Sequence, residues 1–501
     1  MRLDLMTLNF YKRTPKLNKR VALIYPPHHV GRVLFSLAYL LGHLRKHNHD
    51  SEFKVIDCPT NNYDFDDLKT ELLEFKPDII GVSIPFTTML NKGKQVMEII
   101  RKILPNSWLV VGGSHPTLCP EDVVEYCDFV LIGDGEDKMS DIVDYFPNKK
   151  QVCDLGGIAY LYNGRMKLNP DIKENRKTKT MGSPDWDGSD IEKYFPPFIF
   201  GNKEKCYETF TSKGCPFSCT FCSNGTISDR KVVYRELKDV VNEIIWAKEK
   251  YNINNFAIRD EVFCVKTKVI NFCNMLKEKG LNINWYFQTR VEFVKDKEML
   301  RVMRDAGAKV VNIGIESGSE DVLKRNKGIK REDVEKAVKL LRSAGFLVYA
   351  GFIIGFPEDT IDTVWETIKF PDELDLHSPG FQLMVPFPKT QVRYLAEKEG
   401  GILTNDYEKY CTYNVVYIPP GLQGYDLLAI RKFAYQYFHT RTEERLSKWI
   451  DRFKDNEDYH LIKETYTSLY DKKDSLNKEY LKKLRMPDNG LSKENMKRLP
   501  Y

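Results

Sequence analysis

Short apolar runs recur along this chain, separated by stretches in which apolar positions return at helical spacing. In the first 150 residues the runs are VALIY (21–25), FKVIDC (53–58), DIIGVSI (78–84), WLVVGG (108–113) and DFVLIG (128–133). They are apolar on both faces, as strands must be when helices cover a parallel sheet from both sides. The alternation predicts a doubly wound parallel α/β domain over 1–150. Ligands of such sheets sit at the carboxyl ends of the strands. From 151 to 205 the periodicity breaks into polar text, read as a linker with one hairpin, GIAYLYNGRMKLN, whose Asn163-Gly164 pair suits a two-residue turn. A second series follows: YETFTSKG from Tyr207, NFAIRD (255–260), NWYFQTRV (284–291), KVVNIGIES (309–317), LVYAGFIIGF (347–356) and GFQLMVPF (380–387). Six strands alternating with helices predict a full or partial barrel over 206–424, with its chemistry at the strands' carboxyl ends. Residues 425–501 read as a capping helical segment in which Phe433, Tyr435, Tyr437 and Phe438 serve core packing.

Composition narrows the function classes. The chain has 501 residues, and its net charge of +5 is the difference between 76 basic and 71 acidic side chains. They are interspersed, with no basic stripe for nucleic acid. The longest apolar run, Leu347 to Phe356, falls well short of the roughly 20 residues needed to cross a bilayer. The first twenty residues lack an apolar core and a small-residue cleavage site, so a cytoplasmic location is expected. Eleven Cys, an odd number scattered through a long chain, fit a reducing compartment better than a disulfide framework.

Three of them, Cys215, Cys219 and Cys222, form a CxxxCxxC loop just after the first barrel strand. Thiolates select iron-sulfur clusters, zinc or copper(I), and three within eight residues can grip one face of a 4Fe-4S cube while leaving the fourth iron open. The alternative is a structural zinc with Cys206 or a His as fourth ligand, although zinc favours two separated CxxC pairs. CxxxCxxC with an aromatic, Phe221, before the last Cys resembles the signature of the radical S-adenosylmethionine (SAM) superfamily. The resemblance implies a 4Fe-4S cluster whose open iron binds SAM. It also implies reductive cleavage of SAM to a 5'-deoxyadenosyl radical that abstracts hydrogen from an unactivated carbon. It further assigns Asp260 and Glu261 to the SAM ammonium, Arg290 to its carboxylate, Glu316 and Ser317 to the ribose, and the Gly355 to Pro357 turn to the adenine. Plainer readings are a buried ion pair between Arg290 and Glu316, and a turn or helix cap at Asp260 and Glu261.

The first domain is similar to the Rossmann-type cobalamin-binding module that precedes the barrel in one class of these enzymes. Ser83, Thr87, Gly112, Gly113 and the turn from Gly133 to Glu136 stand at its strand ends, where small residues let a ring or phosphate tail approach. Asp57-Cys-Pro-Thr-Asn-Asn-Tyr departs from the D-x-H-x-x-G pattern, so no lower axial His is available. A domain that keeps this fold without cobalamin is the other reading. The resemblance implies cobalamin-dependent methylation or, with a vestigial first domain, a dehydration, epimerisation, cyclisation or coupling. A metal-binding scaffold without SAM turnover is the non-enzymatic alternative. Expected partners are a one-electron reductant such as flavodoxin or ferredoxin and a small-molecule, lipid or natural-product substrate, with Phe387 or Lys389 facing it. Cys264 and Cys273, on the helix after the second barrel strand, and the isolated Cys119, Cys127, Cys153 and Cys411 read as free thiols.

Overall fold

The computed structural model describes residues 18–28, 35–48, 50–170, 182–186, 191–194, 205–263, 265–454 and 459–486. The chain divides into two compact units, one of residues 1–85, 92–177 and 184–190, the other of 86–91, 178–183 and 191–501.

In the first unit β1 (Arg20–Tyr25), β2 (Glu52–Asp57), β3 (Ile79–Ser83), β4 (Trp108–Gly112) and β5 (Phe129–Leu131) are parallel, in the order β2-β1-β3-β4-β5. Val21 to Ile24 are wholly buried, as are Ile79, Ile80, Leu109 and Val111, which explains why these strands read as continuous apolar runs. The expected hairpin exists as β6 (Ile158–Tyr162) and β7 (Arg165–Leu168). It is not part of a linker. β6 pairs antiparallel with β5 through Val130 with Ala159 and Leu131 with Ile158, and so extends the first sheet to seven strands. Burial of Ile158 and Ala159 drives that docking. Asn163 (φ 50°) and Gly164 (φ 74°) supply the two left-handed residues of the turn.

In the second unit β8 (Cys206–Thr209), β11 (Asn255–Ile258), β12 (Asn284–Thr289), β13 (Ala308–Glu316), β14 (Leu347–Ile354) and β15 (Ser378–Leu383) lie side by side in chain order, all parallel. The sheet is an open, partial barrel, since β8 and β15 are its two outer strands. A short antiparallel pair, β9 (Ser212–Lys213) with β10 (Val233–Tyr234), frames the cysteine loop. Arg235, just after β10, is buried and donates to Thr209 Oγ1 (3.1 Å), Phe210 O (3.0 Å) and Glu243 Oε2 (2.6 Å).

The helix Leu427–His439 packs along β15. Tyr435 Oη accepts from the Phe381 N–H (2.9 Å), and Arg431 Nε donates to the Phe381 carbonyl (2.7 Å). Phe433, Tyr437 and Phe438 are buried, and the Tyr435 ring meets the Phe381 ring edge-on at 5.3 Å. The later helix Tyr459–Asp471 has no buried residue. Among the described residues no helix is long and apolar enough to cross a membrane.

Candidate functional site

The cysteine loop is held from several sides. It opens at Gly214 (φ 93°), where a Cβ would overlap the Lys231 carbonyl, so only glycine fits without moving the backbone. Ser228 Oγ donates to Cys215 O (3.2 Å), and Thr220 N–H donates to Asn326 O (3.1 Å). Val392 N–H donates in turn to Thr220 O (3.1 Å), tying the loop to the helices Glu320–Lys327 and Gln391–Glu399. Phe221 meets Phe356 edge-on at 5.6 Å and packs against the cluster of Val322, Met384 and Val392. This aromatic anchors the loop in the core.

Asp260 and Glu261, expected to receive the SAM ammonium, make hydrogen bonds that brace the loop. Asp260 is 1% exposed, and its carboxylate accepts from Thr211 N–H (2.6 Å), Ser212 Oγ (2.7 Å) and the Thr211 hydroxyl. Glu261 Oε2 accepts from the Gly214 N–H (2.9 Å). Burial pushes Asp260 up to about 6, against the pull of its hydroxyl and backbone donors.

At the end of β12, Arg290 Nη1 donates to Cys219 Sγ (2.9 Å). Its Nε and Nη2 both donate to Glu292 Oε1 (3.0 and 2.6 Å), and Nη2 also donates to the Lys327 carbonyl (3.1 Å). The guanidinium lies 3.9 Å from the Phe217 ring centroid. Glu316 carries a left-handed backbone (φ 78°) at a register shift against β14, and its Oε1 accepts from Lys327 Nζ at 2.6 Å. Arg290 and Glu316 therefore take separate partners rather than each other. Backbone strain of this kind in a non-glycine residue persists only where the surroundings fix it, and it concentrates at binding sites. Ser317 is 1% exposed and bonds Thr367 Oγ1 (2.9 Å) and the Ser319 N–H (3.1 Å), so it braces the turn. Phe387 packs against the cluster of Val385, Tyr410 and Val416, and Lys389 has φ 60°.

Gly355 (φ 104°) and Phe356 both donate N–H bonds to Asp359 Oδ2, at 2.9 Å each. Burial pushes Asp359 up to about 6. The folded chain thus holds this proton more tightly than the unfolded chain, and stability falls as pH rises from about 4 through about 6. Asp359→Asn is expected to reduce that slope in a plot of Tm against pH, and an unchanged slope would contradict the assignment.

The donor set fits a cluster. Burial raises the Cys215 thiol and the Cys219 sulfur adds to it, while Cys222, an exposed residue whose sulfur is nonetheless crowded by protein atoms, is pushed up to about 11 by desolvation and then by Cys219 and Cys215. The three sulfurs are therefore within electrostatic reach of one another. Among the described residues no three His, Cys, Asp or Glu side chains close on a single ion. Cys206 is buried among Ala257, Tyr286 and Val310, which removes it as a fourth zinc ligand. Two buried acceptors at the end of β12, Thr289 Oγ1 and Glu292 Oε2, lack a protein donor. Atoms of that kind are where a ligand bearing ammonium or hydroxyl groups, as SAM does, would be received. Glu292, Phe217, Thr289 and Lys327 escaped the sequence reading, and the spacing of Arg290 and Glu292 around one residue was the available signal. Cys273, like Cys58, is a buried free thiol, whereas Cys264 lies outside the described residues.

In the first unit the turns after β4 and β5 are joined by Thr117. It donates to Gly113 O (2.8 Å) and accepts from the Gly133 N–H (3.0 Å). Gly113 has φ 112°, and a Cβ there would stand 2.6 Å from Ile84 O. Ser83 ends β3, Gly112 ends β4, and Glu136 begins the helix Glu136–Tyr145. Ser83, Gly112, Gly113 and Gly133, small residues at or just after strand ends, fit a cradle for a phosphate tail. Thr87, in the turn Thr87–Met89, groups with the second unit. Asp57 caps the helix Cys58–Asn61, accepting from Thr60 N–H (3.2 Å), and His115 is wholly buried against Asp122 (3.1 Å). Neither position offers an axial imidazole.

The pattern of the Radical SAM superfamily matches residues 209–370, and that of the B12 binding domain matches 35–143. An uncharacterized methyltransferase of Pyrococcus horikoshii is 28% identical over 436 residues, covering 84% of this chain and 93% of its own. The anaerobic magnesium-protoporphyrin IX monomethyl ester cyclase of Rubrivivax gelatinosus is 27% identical over 454 residues, covering 85% and 80%. The structure of the radical SAM methyltransferase TsrM from Kitasatospora setae, with cobalamin and a 4Fe-4S cluster bound, superimposes with a TM-score of 0.67. It shares 18% identity, over 83% of this chain and 91% of that one, which supports the fold.

Proposed function

Because the chain is a radical SAM superfamily enzyme whose barrel follows a B12-binding domain, we propose that it methylates an unactivated carbon of a small-molecule, lipid or natural-product substrate. The observation that carries this reading is the CxxxCxxC loop at the carboxyl end of the barrel, in a chain that also holds a B12-binding domain whose sequence lacks the D-x-H-x-x-G histidine. Cys215, Cys219 and Cys222 would hold the cluster, with Thr289, Glu292 and Glu316 toward SAM. Gly113, Gly133 and their neighbours would cradle cobalamin. When bound, cluster and SAM supply a hydrogen-abstracting radical and cobalamin supplies a transferable methyl group. The chain's own part is to position. Lys327 orients the Glu316 carboxylate, Gly214 and Asp260 fix the loop, and Phe221 holds its far end against the core.

A cytoplasmic site and a flavodoxin- or ferredoxin-type electron donor belong to the same proposal. The relative named as a cyclase supports a second reading, a radical rearrangement or ring closure without a new methyl group. Anaerobic reconstitution with and without cobalamin, followed by dithionite and SAM, separates them. Deoxyadenosine is expected from the wild type and not from Cys219→Ala, and its dependence on cobalamin favours methylation. Zinc in place of iron, or no deoxyadenosine despite full iron, would overturn both readings.

A further inference from the structure

We propose that Arg290 is a positioning residue of the iron-sulfur cluster that raises its midpoint potential through the Cys219 sulfur, and that Glu292 sets how strongly it does so. The inference rests on the reading of the three thiols as cluster ligands and assigns this arginine away from the SAM carboxylate. Its donors are directed at protein acceptors: Nη1 at Cys219 Sγ, Nε at Glu292 Oε1, and Nη2 at Glu292 Oε1 and Lys327 O. The planar fork is stacked on Phe217 at 3.9 Å, and its side chain is 8% exposed. The Phe217 ring that backs the guanidinium is itself met edge-on by Phe293, with ring centroids 5.8 Å apart.

Hydrogen bonds to the sulfurs, net charge and burial are the means by which a protein sets a cluster's potential. Reduction adds one negative charge to the cluster. A cation donating to a ligand sulfur interacts more favourably with that reduced form, and more so away from bulk water. Glu292 counters this, because its carboxylate holds two guanidinium nitrogens through one oxygen. The two residues should therefore move the potential in opposite directions.

The test is an EPR-monitored redox titration of reconstituted protein without SAM, alongside iron and sulfide content and SAM binding, for the wild type, Arg290→Gln, Arg290→Lys and Glu292→Gln. Arg290→Gln is expected to lower the reduced-to-oxidised ratio at a fixed potential at least tenfold, about 59 mV for a one-electron couple. Arg290→Lys should fall between it and the wild type, and Glu292→Gln should shift upward. If Arg290→Gln holds no iron, the upward shift of Glu292→Gln carries the test, and its absence overturns the inference. An assembled cluster with an unmoved potential overturns it, as do shifts of the same sign. So does an Arg290→Gln variant that only loses SAM affinity. A wild type that assembles no cluster overturns the reading of the thiols themselves.

Discussion

Asp260→Ala is expected to destabilise the protein by at least about 3 kcal/mol and to lower its iron content after reconstitution, although the residue touches no metal ligand. The carboxylate satisfies the Thr211 N–H and the hydroxyls of Thr211 and Ser212, all buried. Removing a shared acceptor strands these donors at about 1–3 kcal/mol each. The damage falls on β9, whose next residue, Gly214, opens the cysteine loop. Urea denaturation and iron per chain measure the two effects. Had Asp260 received the SAM ammonium instead, iron content and stability would hold while SAM binding weakened.

Breaking the Arg235–Glu243 pair should have an effect of similar size. The Arg235 side chain is 0% exposed and Glu243 7%, with 2.6 Å between Nη2 and Oε2. Loss of one partner of a buried pair leaves the other charged and unpaired, at about 3–5 kcal/mol. Arg235 also holds the end of β8 through Thr209 and Phe210, so Arg235→Ala strips both the charge pair and a strand cap. Replacement of both partners, Arg235→Met with Glu243→Leu, is expected to recover much of the loss. Chemical denaturation of the single and double variants reads the coupling directly. Equal, additive losses would show that the pair carries no coupling energy.

The strands were legible because their burial is two-sided. VALIY and DIIGVSI admit no polar face, and the observed β1 and β3 fall within a residue or so of those runs. The cysteine spacing was legible because ligation demands it locally. What the sequence withheld were pairings between residues far apart in the chain. Asp260 at a strand end could face either way, and Thr211 with Ser212, 49 and 48 residues earlier, decides the direction. Glu316 is turned by a local register shift and then claimed by Lys327 at the end of the following helix. The hairpin's turn was plain in Asn163-Gly164, but its partner strand, β5, is only three residues long and gave no edge pattern to match.

The helix along β15 has a meaning beyond packing. An open sheet ends in a row of unpaired amides and carbonyls, and such a margin invites a strand from another molecule. At Phe381 both groups are already engaged, by a tyrosine hydroxyl and an arginine nitrogen that stand in for the missing neighbour. A chain cut before Leu427 would therefore lose more than a cap. It would carry a sticky rim along β15, and its characteristic failure would be self-association through that rim in place of simple unfolding.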